Sequence, residues 1–329
     1  MSLLPERNPW VEEYQSRVGF ALQTFALPGD PEPGKKVIRA GILADELELD
    51  GFFTGDHPGY ATEPWLHLTA VATQTRQIRL GSIVNCASYR HPVMMARLAA
   101  DFDRISDGRL VLGLGIGWNI EEYAQLGISF TAVRARQEAL EEYIAIINGV
   151  WGADPFTYHG KHWRTEGGHV VPGPLQWPRP PLIIAGAGER VTLRQVAQLA
   201  DACNFGPGRN TGAARSGEDI QHKLQVLRNH CCQLGRNYDD ILRSHYTSWL
   251  MIAETEHEAK AKLDRYYPDG LDEEQKATRI VGTPDQVAAY YQEIVDAGMQ
   301  YFVCQVLDAG DEETIRLLAT EVAPRIRKC

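Results

Sequence analysis

Short apolar runs alternate with longer amphipathic stretches along the whole chain. The apolar runs are hydrophobic at successive positions, which is typical of parallel strands covered on both faces. Eight of them are predicted as strands, at residues 18–22, 51–57, 78–85, 110–115, 181–188, 201–206, 245–253 and 301–306. Helical periodicity is found at residues 35–47, 64–75, 92–106, 132–151 and 191–199. Strands and helices that alternate over this length favour one closed (β/α)8 barrel, a TIM barrel.

A further helix precedes the last strand. Thr283 is its predicted N-cap, Pro284 occupies its first position and Gly298 stands at its exit. Threonine accepts a hydrogen bond from the first turn, proline loses no helical bond there, and glycine accommodates the left-handed exit. The chain therefore returns to a strand at residue 301.

Two stretches interrupt the pattern. Residues 151–180 are rich in glycine, proline and aromatic residues, and 156–163 resemble one arm of a small hairpin. We interpret them as an insertion of about 30 residues into a single domain that spans 1–329. Residues 206–217 are a candidate mobile loop. Both stretches are expected to build the outer wall of a pocket, because binding residues concentrate on loops.

Composition narrows the class of protein. The 329 residues are 44% hydrophobic, as in ordinary globular domains, and the formal net charge is −10. Since no basic block is present, neither nucleic acid nor an anionic membrane is an expected partner. The N-terminus lacks the apolar core of a signal peptide, and no run approaches the roughly 20 apolar residues of a membrane span. A cytoplasmic location is predicted.

Cysteine and histidine spacing does not indicate a metal site. The six cysteines form no C-x-x-C pair, and Cys86, Cys203 and Cys304 lie in or beside predicted strands, as small core residues do. Three histidines cluster in the insertion, at His159, His162 and His169. They lack convincing acidic neighbours, so no metal ligands are predicted.

The stretch 109–119, RLVLGLGIGWN, carries three alternating glycines after apolar positions. A dinucleotide-binding fingerprint needs G-x-G-x-x-G opening a helix directly after its strand. Gly113, Gly115 and Gly117 read G-x-G-x-G, and counting from Gly115 puts Ile120 where the third glycine belongs. The spacing therefore excludes a Rossmann site.

The carboxyl ends of the predicted strands carry small or polar residues, and TIM barrels place their chemistry at these ends. Asp56 and His57 end the second strand and Asn85 ends the third, while glycines stand at the next ends, within 115–117, 185–188 and 206–208. Glycine lets a ligand approach the main chain closely. Several such ends on one rim indicate a flat, polar ligand.

Three segments resemble the bacterial luciferase-like monooxygenase family. They are SIVNCASYRHPVMMARLAADFDRISDGRLVLGLGIGWNIEEYAQLGISF, PPLIIAGAGERVTLRQVAQLADACNFG and VGTPDQVAAYYQEIVDAGMQYFVCQV. The resemblance runs in unbroken order from about residue 18 to 324. Within the family, the sequence is most similar to the branch that uses the deazaflavin coenzyme F420.

The resemblance implies a cofactor with a flavin-like ring across the barrel mouth, either coenzyme F420 or, as the alternative, FMN. A non-proline cis peptide is expected between Ser82 and Ile83, where it supports the ring. Trp118 is expected to stack on or shield that ring, and 185–188 to direct N–H groups towards a phosphate. The implied cofactor-binding residues are Asp56, Ser82, Ile83, Asn85, Gly115, Ile116, Gly117, Trp118, Ala185, Gly186, Ala187 and Gly188.

His57 is the candidate catalytic residue, because imidazole exchanges a proton near neutral pH. Two interpretations stay open: proton transfer, or a histidine that only walls the pocket. Trp118 stands where sugar-phosphate dehydrogenases of the deazaflavin branch have a glutamate acid, and Glu121 and Glu122 follow it. This departure argues against a sugar-phosphate substrate and leaves the proton donor unassigned. Arg209 and Arg215 either meet an anionic group or lie on a solvated loop.

The first hypothesis is an F420-dependent oxidoreductase that transfers a hydride between the coenzyme and a small organic substrate. The second is an FMN-dependent monooxygenase served by a partner flavin reductase. A barrel that binds flavin without turnover and a metallohydrolase are the third and fourth. By analogy with the family, we expect a homodimer in which the apolar helix PVMMARLAADF contributes to the interface.

Overall fold

The computed structural model describes residues 4–25 and 29–326. The strands in these residues are β1 (Gly19–Gln23), β2 (Gly51–Thr54), β3 (Arg79–Ser82), β4 (Asn85–Cys86), β5 (Leu112–Gly115), β6 (Phe156–His159), β7 (Arg164–Gly168), β8 (Leu182–Ala185), β9 (Ala202–Phe205), β10 (Leu242–Ile252), β11 (Ile280–Gly282) and β12 (Tyr301–Val306). The helices are α1 (Pro9–Glu13), α2 (Pro33–Glu46), α3 (Pro64–Ala72), α4 (Pro92–Ile105), α5 (Ile120–Gln125), α6 (Val133–Val150), α7 (Thr192–Leu199), α8 (Gly217–Leu234), α9 (Glu256–Tyr266), α10 (Glu273–Thr278), α11 (Pro284–Asp296) and α12 (Glu312–Leu317). Short helical turns lie at Tyr238–Asp240, Leu318–Val322 and Ala323–Arg325.

The parallel strands form a barrel. Neighbours pair in the order β3, β2, β1, β12, β10, β9, β8 and β5. The ring closes where Leu80 of β3 bridges Leu110 next to β5 and where β4, which continues β3, pairs with β5. The predicted (β/α)8 TIM barrel is therefore confirmed. The eight strands predicted from apolar runs are the eight strands of the barrel wall.

The predicted helices are also found within a few residues of their expected ends. Proline occupies the first position of α2, α3, α4 and α11, where its missing N–H breaks no helical bond. The Thr283 side chain caps α11 by accepting from the N–H of Gln286, and Gly298 leaves with a φ of 113°. The pattern also predicts helical sequence, without bounds, after 245–253 and 301–306, where α9 and α12 are found. It does not predict α8 and α10, whose surfaces are mostly polar.

Alternate strand positions face the barrel interior and the helices. Ala21, Phe53, Val111, Ile183 and Val303 fill the interior, and a larger apolar layer separates the strands from the helices. This two-sided burial is why the strands read as continuous apolar runs.

The amino-terminal end of the barrel is closed by three aromatic side chains, which we name the aromatic plug: Trp10, Tyr14 and Tyr301. Each is at most 1% exposed. Their ring centroids are 4.9–6.1 Å apart in edge-to-face geometry. Aromatic pairs in this geometry add stability beyond the area that they bury.

The insertion at 151–180 contains the predicted hairpin, in which β6 and β7 pair antiparallel. The insertion connects α6 to β8. Its last part, residues 170–180, which we name the return, lies at the amino-terminal end, where the Gln176 amide donates to the carbonyl of Leu110. The prediction that the insertion walls the mouth is therefore wrong for the return and stays a prediction for the hairpin. The hairpin packs on α6, with three N–H groups donating to Glu142. A segment that enters a strand arrives at the end opposite the mouth.

Candidate active site

The carboxyl ends of the parallel strands meet at one end of the barrel, the mouth. Since the predicted site residues follow β2, β3, β5 and β8, the fold gathers them there from distant parts of the sequence.

His57 follows β2 and is held by Glu122 of α5. Its Nδ1 lies 3.2 Å from each carboxylate oxygen of Glu122. The Glu122 carboxylate is 2% exposed and also accepts from the Tyr89 hydroxyl at 3.0 Å and the Gly59 N–H at 3.4 Å. Because a carboxylate only accepts, Nδ1 carries the hydrogen, and Nε2 is left to exchange a proton with a bound molecule.

Tyr89 donates to Glu122 because its hydroxyl keeps its proton. Burial, with smaller contributions from Cys86 and Glu122, raises the pKa of Tyr89 above its ordinary value. The His57 side chain, in contrast, is 23% exposed. The arrangement is thus an imidazole open to the mouth on a buried, hydrogen-bonded carboxylate, as in histidines that transfer protons.

Aromatic rings continue from His57 in both directions along the rim. We name Trp118, His57, Tyr60, Phe25 and Trp249 the aromatic row. Successive ring centroids are 6.0, 4.7, 6.1 and 6.2 Å apart, and His57 stacks on Tyr60. Trp118 is 53% exposed and Tyr60 40%. Trp118 is therefore not a core residue, and a ring can pack against it at the mouth.

The Asp56 carboxylate is hydrogen-bonded within the fold. Its carboxylate accepts from Arg90 at 2.7 Å and from the N–H of Cys86 at 3.1 Å, and Arg90 also binds Glu63. Burial raises the pKa of Asp56, and the hydrogen bond from Arg90 opposes that shift. Asp56 thus ties β2 to β4, and its predicted cofactor contact stays a prediction.

The strand β3 is interrupted by a cis peptide between Ile83 and Val84. The prediction that this bond lies between Ser82 and Ile83 is wrong by one residue. Ser82 still pairs with Thr54 in the ladder, and the Ile83 N–H donates to the Thr54 carbonyl at 3.0 Å, so the strand stays regular up to that amide. Ile83 faces the barrel interior, and Ser82 is fully buried on the other side of the strand.

Gly113 and Gly115 allow β5 to pack against this interruption. A Cβ on Gly113 would meet the Ser82 carbonyl oxygen, and one on Gly115 would lie 2.8 Å from Val84 Cγ2. Two of the three alternating glycines therefore serve the packing of neighbouring strands. A cofactor contact at Gly115 stays a prediction.

Gly117 forms the turn that follows β5. Its φ is 71°, and a Cβ there would lie 2.6 Å from Cys86 Sγ and 2.7 Å from the Tyr123 hydroxyl. That hydroxyl donates to the Ile116 carbonyl at 2.8 Å. The Tyr123 hydroxyl and Cys86 thus hold this turn in place, and the turn positions Trp118 at the rim.

Asn85 is buried, and its amide is used within the fold. Its Nδ2 donates to the Gly113 carbonyl at 2.9 Å, and its Oδ1 accepts from the Trp65 indole at 3.2 Å. A cofactor would compete with both bonds for this side chain. The geometry favours a supporting role behind the rim, and the predicted cofactor contact stays a prediction.

The rim segment 185–188 follows β8 with small side chains. The Gly186 N–H continues the ladder to the Asn204 carbonyl at 2.8 Å, so it is not free for a phosphate. Within the described residues, the N–H groups of Ala187 and Gly188 have no internal partner. They precede α7 and are the donors of this segment that a phosphate could use.

Polar side chains form the floor of the mouth, inside the barrel. The Asn204 amide donates to Ser244 at 2.8 Å, and the Gln23 amide donates to the Ile83 carbonyl at 2.6 Å. The Gln23 Oε1 is buried and, among the described residues, has no donor. A buried acceptor without a partner costs about 1–3 kcal/mol, so this oxygen fits a ligand that brings an N–H group.

Arg209 and Arg215 of the 206–217 loop both face Glu274 of α10. The Arg209 N–H donates to Glu274 at 3.2 Å, and the Arg215 guanidinium forms an ion pair with the same carboxylate. The loop is thus joined to α10 through Glu274, while the Arg209 side chain stays 83% exposed to solvent, as in the solvated-loop interpretation.

No group of three or more His, Cys, Asp or Glu residues is placed to hold a metal ion within 4–25 and 29–326. Two histidines of the insertion stand beside acidic side chains, His162 at 3.3 Å from Glu138 and His159 at 3.9 Å from Glu166. Cys86, Cys203 and Cys304 are at most 4% exposed, which confirms them as core residues.

Sequence reasoning missed the role of Glu122 and did not single out Tyr89 or Gln23. A signal for Glu122 is present: Asn119 caps α5 by accepting from the second helical N–H at 3.1 Å. This cap fixes where the helix starts and hence which side chains of its first turn face the barrel. Tyr89 and Gln23 carry no comparable local signal.

Fold and site define a class: a TIM barrel whose open mouth carries a carboxylate-held histidine, an aromatic row and a polar floor. The luciferase-like monooxygenase family profile matches residues 16–301. The chain belongs to that family.

An F420-dependent glucose-6-phosphate dehydrogenase of Microbacterium testaceum is 27% identical, over 88% of this chain and 92% of its own. The oxygenase component of a flavin-dependent trigonelline monooxygenase from Acinetobacter baylyi is 24% identical, over 79% and 82%. A solved F420-dependent tetrahydromethanopterin reductase from Methanopyrus kandleri has a TM-score of 0.79 at 20% identity, covering 95% of this chain and all of its own, and so shows the fold. No helix in the described part of the chain is long and apolar enough to cross a membrane.

Proposed function

We propose that this protein is an F420-dependent oxidoreductase that transfers a hydride between the deazaflavin coenzyme and a small organic substrate. The observation that carries the proposal is the His57–Glu122 pair at the mouth of a luciferase-like barrel. The F420-dependent relatives support the choice of cofactor.

The residues at the mouth fit such a cofactor. The Gln23 Oε1 is a buried acceptor for a ring N–H, Trp118 offers a face for the ring, and Ala187 and Gly188 offer N–H groups to a phosphate. When bound, coenzyme F420 supplies a ring carbon, C5, that accepts or donates a hydride. Its predicted contacts at 82–85 and 115–118 are part of this proposal.

His57 moves the proton that accompanies the hydride. In the oxidising direction, Nε2 takes the proton from the substrate heteroatom while the hydride leaves the neighbouring carbon. In the reducing direction, the protonated Nε2 donates this proton to the heteroatom and the imidazole becomes neutral again. Glu122 holds Nδ1–H, fixes the ring orientation and stabilises the charged imidazolium. The rings of Trp118 and Tyr60 flank this imidazole on two sides.

A paired titration tests the cofactor. Apoprotein is titrated with oxidised coenzyme F420 and with FMN, followed by tryptophan fluorescence. We expect submicromolar binding of the deazaflavin and FMN at least about tenfold weaker, a difference of about 1.4 kcal/mol. The reverse preference would indicate an FMN-dependent monooxygenase with a partner flavin reductase. Binding of neither would reject the cofactor site. A substrate screen then follows the loss of coenzyme absorbance.

We further propose a homodimer. Large apolar side chains are exposed on α3, α4 and the return of the insertion: Leu66, Met94, Val171, Leu175 and Trp177, each at least 52% exposed. Arg97 and Arg104 of α4 donate to carbonyls of that return, so α4 and the return lie side by side. Exposed apolar patches of this kind mark protein interfaces. Sedimentation of the purified protein tests the stoichiometry. A cytoplasmic location and a single domain over 1–329 stay predictions.

A further inference from the structure

The aromatic row has two halves that differ in their neighbours. Trp118 stands on the turn after β5, which the proposed function assigns to the cofactor. Tyr60, Phe25 and Trp249 continue from His57 in the other direction, across β1 to β10. This second half is partly exposed and is not needed by the cofactor contacts proposed above. The faces and edges of these three rings can pack against a planar apolar group of a ligand.

Arg279 stands at the far end of this half. Its guanidinium carbon lies 4.9 Å from the ring centroid of Trp249, and its Nε and Nη1 donate to Tyr267 and Thr278. Among the described residues it forms no ion pair, whereas Arg209 and Arg215 share Glu274 and Arg90 binds Asp56 and Glu63. A guanidinium held by stacking and by neutral hydroxyl groups keeps its charge available to an anion.

Charge is therefore distributed unevenly along the row. Glu122 lies beyond His57 at one end, and Arg279 lies beyond Trp249 at the other. The Glu122 charge reaches Tyr60, whose pKa is raised by burial and by this carboxylate. An anionic group is repelled from the His57 end and attracted to the Arg279 end. A ligand with one anionic group is oriented by this gradient.

We propose that Tyr60, Phe25, Trp249 and Arg279 form the substrate subsite, and that it binds a planar aromatic carboxylate. The ring lies against Phe25 and Trp249, the carboxylate meets Arg279, and the opposite edge of the ring points along the row towards Tyr60 and His57. This inference rests on the proposed function, since the row leads from this subsite to the proton carrier His57.

Three small probes test the subsite on the purified protein, with and without coenzyme F420. Benzoate has the ring and the charge, benzamide has the ring alone, and cyclohexanecarboxylate has the charge without the planar ring. We expect benzoate to bind at least about tenfold more tightly than either of the others, measured by calorimetry. This comparison in the unmodified protein needs no variant and so does not depend on how a variant folds.

Two variants separate the contributions. Arg279→Gln is expected to remove the preference for benzoate over benzamide, and Phe25→Leu to reduce the preference for benzoate over cyclohexanecarboxylate. Arg265→Gln is the matched control, since Arg265 is exposed on α9 against Tyr266, and it should change neither preference. Equal binding of all three probes, or a preference for benzoate that survives Arg279→Gln, overturns the subsite. If coenzyme F420 binds while the probes show no preference, this inference alone fails. If no coenzyme binds, the proposed function fails.

Discussion

The two ends of the barrel both carry clustered aromatic side chains, but in opposite environments. At the amino-terminal end, Trp10, Tyr14 and Tyr301 are at most 1% exposed and pack on one another. At the mouth, Trp118 and Tyr60 are 53% and 40% exposed and flank a histidine. The same residue types thus seal one end and leave the other open to a ligand.

This difference in exposure separates aromatic contacts that stabilise the fold from those that are available to a ligand. Fully buried rings gain from removal of their surface from water and from edge-to-face packing. Half-exposed rings gain little from the fold, so substituting them costs little stability. Rings of this second kind persist at the mouth beside a buried carboxylate, where a bound ring would complete their burial. The expected effects of substitution therefore separate into activity at one end and stability at the other.

The largest expected effect is on turnover at the mouth. His57→Gln should lower kcat by roughly 10²–10⁴-fold, because the proton acceptor is lost while the side chain still fits the site. Initial rates of coenzyme absorbance change, with the substrate from the screen, measure this. The control is His257→Gln, which replaces an exposed histidine on α9.

Glu122→Gln should give a smaller loss of roughly 10–100-fold, because the imidazole is no longer held in one tautomer. Its matched control is Glu121→Gln, an exposed neighbour on α5 that should behave like the unmodified protein. If the His57→Gln variant kept the kcat of the unmodified protein, His57 would only line the pocket, and the proposed proton transfer would be contradicted.

The next effect is on stability at the closed end. Trp10→Ala should lower the free energy of unfolding by ~3–5 kcal/mol, as truncation of a buried aromatic residue does. Urea unfolding measures the change, and the affinity for coenzyme F420 should stay within about threefold. Trp118→Ala is the opposite-end control, expected to alter the free energy of unfolding by no more than about 0.5 kcal/mol. Similar losses in both variants would break the contrast between the two ends.

A smaller effect concerns a buried histidine. His245 of β10 is 1% exposed, in the layer behind the barrel wall, and burial lowers its pKa to about 3. Since the folded value lies below the ordinary value of about 6.5, the unfolded state binds the extra proton first. Stability is complete above that ordinary value and is lost as the pH falls from there towards 3.

This single group should lower the free energy of unfolding by about 2 kcal/mol between pH 7.5 and pH 5, at about 1.4 kcal/mol per pH unit below 6.5. Urea unfolding of His245→Gln at both pH values tests it, since the variant should lose about that much less on acidification. Equal losses in His245→Gln and the unmodified protein would show that this residue is not the source.

The sequence predicted the barrel because each barrel strand, and each helix between strands, has a recognisable pattern in its own stretch of the chain. Continuous apolar runs such as 301–306 and capped helices such as the one after Thr283 are properties of neighbours along the chain. The rim was predictable for the same reason, as strand ends are visible in sequence. The break in β3 was misplaced by one residue, because its position depends on how far Ser82 and Ile83 stay paired with Thr54.

Side-chain partners depended on the tertiary structure. The pairing of His57 with Glu122 joins residues 65 positions apart, and the pairing of Asp56 with Arg90 joins residues 34 positions apart. The insertion at 151–180 lies on α4 and α6 because it enters β8 from the closed end. The barrel strands, the helix starts and the glycine-rich rim could be predicted from the sequence alone, because they follow from local periodicity and backbone chemistry. Only the closed barrel decided which side chains meet across it, because those distances are set by the packing of all eight strands together.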